Sequence, residues 1–169
     1  MSGSDFDVKV EIRYRDVDKI FVGTAEDVWA CVNRFFAEFV PTFEVAGKLV
    51  LAVDLQFLAK DSEGLLGFSK EGVNLLVDKG KLTDNEALLM WLLGAYLGFR
   101  LGFLESDAFS KDDLQTKLGK SGKIVSTRLG ELVKSGYVVK DGDDRFRLTT
   151  FGVMQVQKET FPRVRAKSA

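Results

Sequence analysis

The chain has 169 residues, 46% apolar and 29% charged, enough for one large or two small domains with a buried core. It has no histidine and a single cysteine, Cys31. That excludes an internal disulfide and Ser-His catalysis, and it removes the usual general base and the commonest transition-metal ligand.

The net charge of −1 hides a division. Residues 1–105 carry 11 Lys+Arg against 17 Asp+Glu, whereas residues 106–169 carry 13 against 8. An acidic half joined to a basic half is the pattern of a nucleic-acid-binding module attached to something else. The lone cysteine fits a reducing cytosol, and no charged-then-apolar leader opens the chain. The longest uncharged run, Ala87 to Phe99, is too short to span a bilayer. A cytoplasmic protein is expected, with no membrane contact, no catalysis, no cofactor and no metal. Only the termini, MSGSD and RVRAKSA, read as unstructured.

In chain order, residues 8–14 (VKVEIRY) alternate apolar and polar, and KIFVG returns over 19–23, predicting a hairpin. Thr24 caps a helix with Glu26 and Asp27 in its first turn. Val28, Val32, Phe35, Phe36 and Phe39 form its stripe, Trp29 and Cys31 flank it, and Pro41 is expected to end it. A second helix is expected through Val45, Ala46, Leu49, Val50, Val53 and Phe57, with Asp54 near its edge. GLLGF and VNLLV flank Ser69-Lys70-Glu71-Gly72, a second hairpin. The first domain, residues 1–81, is therefore expected to be α+β, a ββααββ unit of two layers, with a dimerisation or effector-binding role.

Thr83 to Glu86 form a capping box for a helix over 84–103, on which Gly94, Gly98 and Gly102 recur every four residues. A ridge of small residues lets another backbone approach. Two readings follow: a homodimer interface, or packing against this chain's own first domain. Ser110 then caps a short helix carrying Leu114 and Leu118, Gly119 breaks it, and Ser121 caps the next. Val125, Leu129, Leu132 and Val133 form that helix's inner face, and Gly136 stops it. YVVKDGDD and RFRLTT make a hairpin turning at Asp141-Gly142, and Thr149 or Thr150 opens a last helix.

Helix, helix, helix, hairpin is the order of a winged helix-turn-helix. LQTKLGKSGKIVSTRLGELVKSGYV and the trailing RLTTFG resemble that DNA-binding superfamily over about residues 84–160. The chain departs from the pattern at Gln115, where a small residue is usual, and at Lys120, where an apolar one is. The resemblance implies a second domain over 82–169 that binds double-stranded DNA as a transcriptional regulator, as a homodimer. With Val125 and Leu129 inward, Lys123, Ser126 and Thr127 face outward behind Lys120 and Ser121, as base-edge and phosphate contacts. Arg128, Lys117, Arg145 and Arg147 are candidates for phosphate contacts. Asp141, Asp143 and Asp144 make the wing tip acidic, which disfavours a phosphate backbone. The alternative use of the same fold is a protein-interaction module.

Residues 8–80, through FVGTAEDVW, NRFF and a following proline, resemble archaeal proteins related to the single-stranded-DNA binder ThermoDBP. That resemblance makes Trp29, Phe35, Phe36 and Phe68 candidates for base stacking. Gly119-Lys120-Ser121 lacks the upstream glycine of a phosphate loop, and Asp141–Asp144 lacks the length of a calcium loop.

Overall fold

A computed structural model describes residues 7–14, 16–49 and 51–169, with side chains for all of these except Tyr14 and residues 40–48. The MSGSD terminus and Val50 lie outside the described residues, as do the side chains of Pro41, Val45 and Ala46. The protein is mixed α and β with small sheets. It divides into two compact units, Met1–Val50 and Leu51–Ala169. Residues 51–81, expected in the first domain, therefore belong with the second unit.

In the first unit, β1 (Val8–Tyr14) and β2 (Val17–Gly23) pair antiparallel from Val8↔Gly23 to Tyr14↔Val17. Thr24 Oγ1 accepts the Asp27 amide and donates to the Asp27 carboxylate, opening α1 (Ala25–Leu49). This helix passes through Pro41 instead of ending there, and its last turn takes Val45 to Leu49 from the second helix that was expected. Proline forfeits one backbone bond inside a helix, but its fixed φ is itself helical. Val28 and Phe35 are buried, and Phe35 meets Phe21, Phe36 and Phe39 edge-on or stacked.

The second unit is organised on α3 (Asp84–Arg100), which is buried on almost every side from Glu86 to Gly98. Its capping box forms as expected: Thr83 Oγ1 accepts the Glu86 amide, and Glu86 accepts the Thr83 amide. Before it come α2 (Leu55–Asp61), β3 (Leu66–Ser69) and β4 (Gly72–Leu75). Asp54 is the exposed cap of α2, accepting the Phe57 amide. β3 and β4 form a two-stranded sheet separate from β1 and β2, so the expected ββααββ sheet does not form. The β3–β4 hairpin packs instead on the glycine ridge. A Cβ on Gly94 would stand 2.3 Å from Val73 Cγ1, and one on Gly98 would stand 2.7 Å from Leu104 and 2.8 Å from Phe68. The hairpin and Leu104 fill the ridge at Gly94 and Gly98 from the same chain, which is the second of the two readings, packing within the chain, and leaves no room there for a second copy.

Gly102 plays a different part. It lies past the helix at φ 80°, with its amide bonded to Phe99 O and the Phe103 amide to Gly98 O. This paired closure requires a left-handed residue after the C-cap, which glycine supplies at least cost.

After α3 the chain forms β5 (Phe109–Ser110), α4 (Lys111–Leu118), α5 (Gly122–Lys134), β6 (Val138–Asp141) and β7 (Arg145–Leu148), with sheet order β5-β7-β6. Leu114, Val125, Leu129 and Leu132 join the core, while Val133 is exposed. α6 (Thr150–Gln155) continues through a π turn, Val156–Thr160, into α7 (Phe161–Ser168). The RVRAKSA tail, expected to be unstructured, is thus largely helical. Arg165 donates to the carbonyls of Asp61 and Glu63, and Lys167 meets Glu86 at 2.7 Å. Among the described residues no helix is long and apolar enough to cross a membrane.

Candidate nucleic-acid interface

The turn from α4 to α5 places the expected DNA contacts. Ser110 and Asp113 close a capping box at the start of α4, and Gly119 ends that helix with φ 67°. Ser121 then caps α5, its hydroxyl accepting the Ile124 amide at 3.4 Å. Gln115, bulky where the resembling family is small, lies 3.1 Å from where a Cβ on Gly122 would be. The missing side chain at Gly122 makes room for it, so the two helices still close on each other.

With Val125 and Leu129 anchored in the core, the opposite side of α5 is exposed. Lys120, Ser121, Lys123, Ser126 and Thr127 all lie on the surface. Thr127 Oγ1 donates to the Lys123 carbonyl at 3.0 Å, which holds the hydroxyl against the helix. Lys123, Ile124, Thr127 and Arg128 line a shallow depression of about 210 Å³. Ile124 was missed in the sequence; it lies about 100° round the helix from inward-facing Val125, at the flank of the exposed face, and is 39% exposed. Its apolar surface beside lysine and threonine is suited to a thymine methyl group.

No family model, curated protein or solved structure matches this chain.

The remaining candidates are not equivalent to the lysines. Arg128 Nη1 contacts both Glu131 oxygens at 3.1 Å, and its Nε lies 3.9 Å from Asp84. That hydrogen bond, helped by Asn85 at 3.3 Å, holds the Glu131 carboxyl below the ordinary range. Arg145 donates to Ser106 Oγ at 2.9 Å and to the Ala108 carbonyl at 2.6 Å, tying the segment before β5 to β7. Arg147 meets Asp141 at 3.4 Å, and Lys140 meets Asp144 at 3.5 Å. The expected phosphate contacts Arg128, Arg145 and Arg147 are therefore engaged inside the molecule, because acids or carbonyls stand within reach of each. By contrast, Lys117, Lys120 and Lys123 have no carboxylate within 4 Å among the described residues. An unpaired ammonium on an exposed helix start is suited to phosphate oxygens and base edges.

Of the aromatic candidates, Phe35 and Phe36 meet edge-on, with ring centroids 5.4 Å apart. Phe35 is core of the first unit, where Trp29 is 70% exposed and Phe36 43%. Phe68 belongs to the second unit, stacked on Phe103 with centroids 5.1 Å apart.

Proposed function

We propose that residues 84–160 form a winged helix-turn-helix and that the chain binds double-stranded DNA through the start of α5, as a non-catalytic transcriptional regulator. Support for the fold comes from the order α3, β5, α4, α5, β6, β7 and from the strand order β5-β7-β6. The observation that carries the function is the face of α5: two unpaired lysines, three hydroxyl side chains and Ile124, none used by the core.

In this reading Lys123, Ser126, Thr127 and Ile124 meet base edges in the major groove, while Lys120 and Ser121 hold the flanking phosphate. The β6–β7 hairpin is the wing, and its acids keep it off the minor groove. Each chain presents one such helix and so reads one half-site; a second copy binding the same DNA would make the site an inverted repeat. The acidic hairpin tip favours one competing reading, a winged-helix module that docks on a basic partner protein.

Selection of bound fragments from a pool of random duplexes separates the two. Recovery of a shared sequence element supports DNA reading, and a pool that remains unenriched at low salt removes it.

A further inference from the structure

The face of α5 leaves unexplained a second basic feature of the same unit. Between the 3₁₀ turn Lys79–Lys81, α3 and the end of α4 lies a cavity of about 300 Å³, lined in part by Lys79, Asp84, Trp91, Lys117 and Lys120. Lys79 Nζ is 4.8 Å and Lys117 Nζ is 4.4 Å from the centre of the Trp91 ring. Lys117 also stands 4.9 Å from the Phe109 ring.

Two ammonium groups held at one indole repel each other, and the ring's quadrupole offsets only part of that cost. Among the described residues neither ammonium has a carboxylate within 4 Å, and neither does Lys120. The one acid lining the cavity, Asp84, has its carboxylate 3.9 Å from Arg128. Burial and the neighbouring Lys79 hold the Lys117 ammonium below the ordinary lysine range, with Asp113 opposing them. Trp91 itself is only 4% exposed, and its Nε1 has no hydrogen-bond partner among the described residues. Packing and the two ammonium groups therefore hold the indole, and no hydrogen bond does. Positive charge concentrated around a defined cavity, offset only in part by Asp113 and by Asp84 on its wall, favours a multiply charged anion, since each lysine adds charge-assisted hydrogen bonds to it.

We propose that this cavity is a phosphate site, taking a phosphate monoester, a diphosphate or a backbone phosphate between Lys79, Lys117 and Lys120. The proposal stands apart from the DNA reading, because it rests on the cavity and not on the face of α5. Lys120 is common to both.

The test is pyrophosphate titration of the full-length W29F variant, which leaves Trp91 as the sole tryptophan reporter, with calorimetry alongside. Binding should be saturable, should weaken about tenfold or more in K79M/K117M, and should weaken severalfold in K120Q. K120Q alters an exposed side chain and so remains informative if the double variant fails to fold. K134M, at the far end of α5, should bind as the parent does. Absence of saturable binding in both methods, or parental affinity in both K120Q and K79M/K117M, would overturn the proposal. If K79M/K117M, which leaves Lys120 in place, weakens duplex binding, the phosphate belongs to the DNA backbone; if it leaves duplex binding unchanged, the occupant is a free phosphate ester. A chain that binds no duplex at all still gives the pyrophosphate result.

Discussion

Arg147 reaches diagonally across the β6–β7 hairpin to Asp141, Nε to Oδ2 at 3.4 Å, although its direct cross-strand partner is Val139. Same-face diagonal neighbours on paired strands lie within reach of long side chains, so the contact follows from the register. The hairpin's acids thus pair with Arg147 and Lys140, and under the proposed DNA reading they keep those cations from a phosphate backbone. D141N/D144N should therefore release Arg147 and Lys140. Duplex affinity by fluorescence anisotropy should rise severalfold at low salt, with the salt slope steeper by roughly 1 for each cation that gains a phosphate.

Lys123 and Arg145 should behave as opposites. K123A removes an unpaired surface ammonium and should weaken duplex binding with an unchanged melting temperature. R145A breaks the hydrogen bonds to Ser106 and Ala108, and should cost about 1–2 kcal/mol of stability. Its salt slope should match that of the parent. Denaturant melts and anisotropy on the two variants check both halves.

Glu86 provides a pH signature. Burial pushes its carboxyl up, but the Lys167 hydrogen bond and the Thr83 amide outweigh that, so it titrates below the ordinary range. A depressed folded pKa contributes stability that is complete above the unfolded value, about 4.3, and is lost as pH falls through the folded one. E86Q should cost about 1 kcal/mol at pH 7, allowing for screening at the more exposed Lys167. The gap from the parent should close below about pH 4. A constant gap in urea melts at pH 7 and pH 3 would contradict this assignment.

The glycines test packing against assembly. G94A should destabilise the protein by about 1–3 kcal/mol through the clash with Val73, and V73A should recover part of that loss. G152A should be worse, since its Cβ would fall 2.0 Å from the Tyr137 carbonyl, which is backbone and cannot move aside. Sedimentation should show the same oligomeric state for G94A and the parent at concentrations where both are folded.

Local rules were readable wherever one residue decides one bond. Thr83, Ser110 and Ser121 cap their helices as their side chains require, and the two-residue turn after Ser69 forms. Pairing at a distance was not readable. Gly94 and Gly98 announced a close approach, but a bare ridge does not name its occupant, and Val73, Phe68 and Leu104 filled it. The helix through Pro41 shows the same limit, since proline lowers helix stability without forbidding the helix. At the candidate interface, inward Val125 and Leu129 fixed the outward face of α5. The engagement of Arg128, Arg145 and Arg147 depended on partners brought in by the fold. The lysine-lined cavity was likewise hidden, because Lys79 and Lys117 are 38 positions apart and meet only at Trp91.

The central claim, duplex binding through the start of α5, is tested most directly by the salt dependence of affinity for the parent and for K120Q/K123Q. The parent should bind a mixed-sequence duplex at about 50 mM salt and weaken steeply as salt rises, and the double variant should lose roughly 2 from the slope. A parent that fails to bind at low salt, or a double variant with an unchanged slope, contradicts the account.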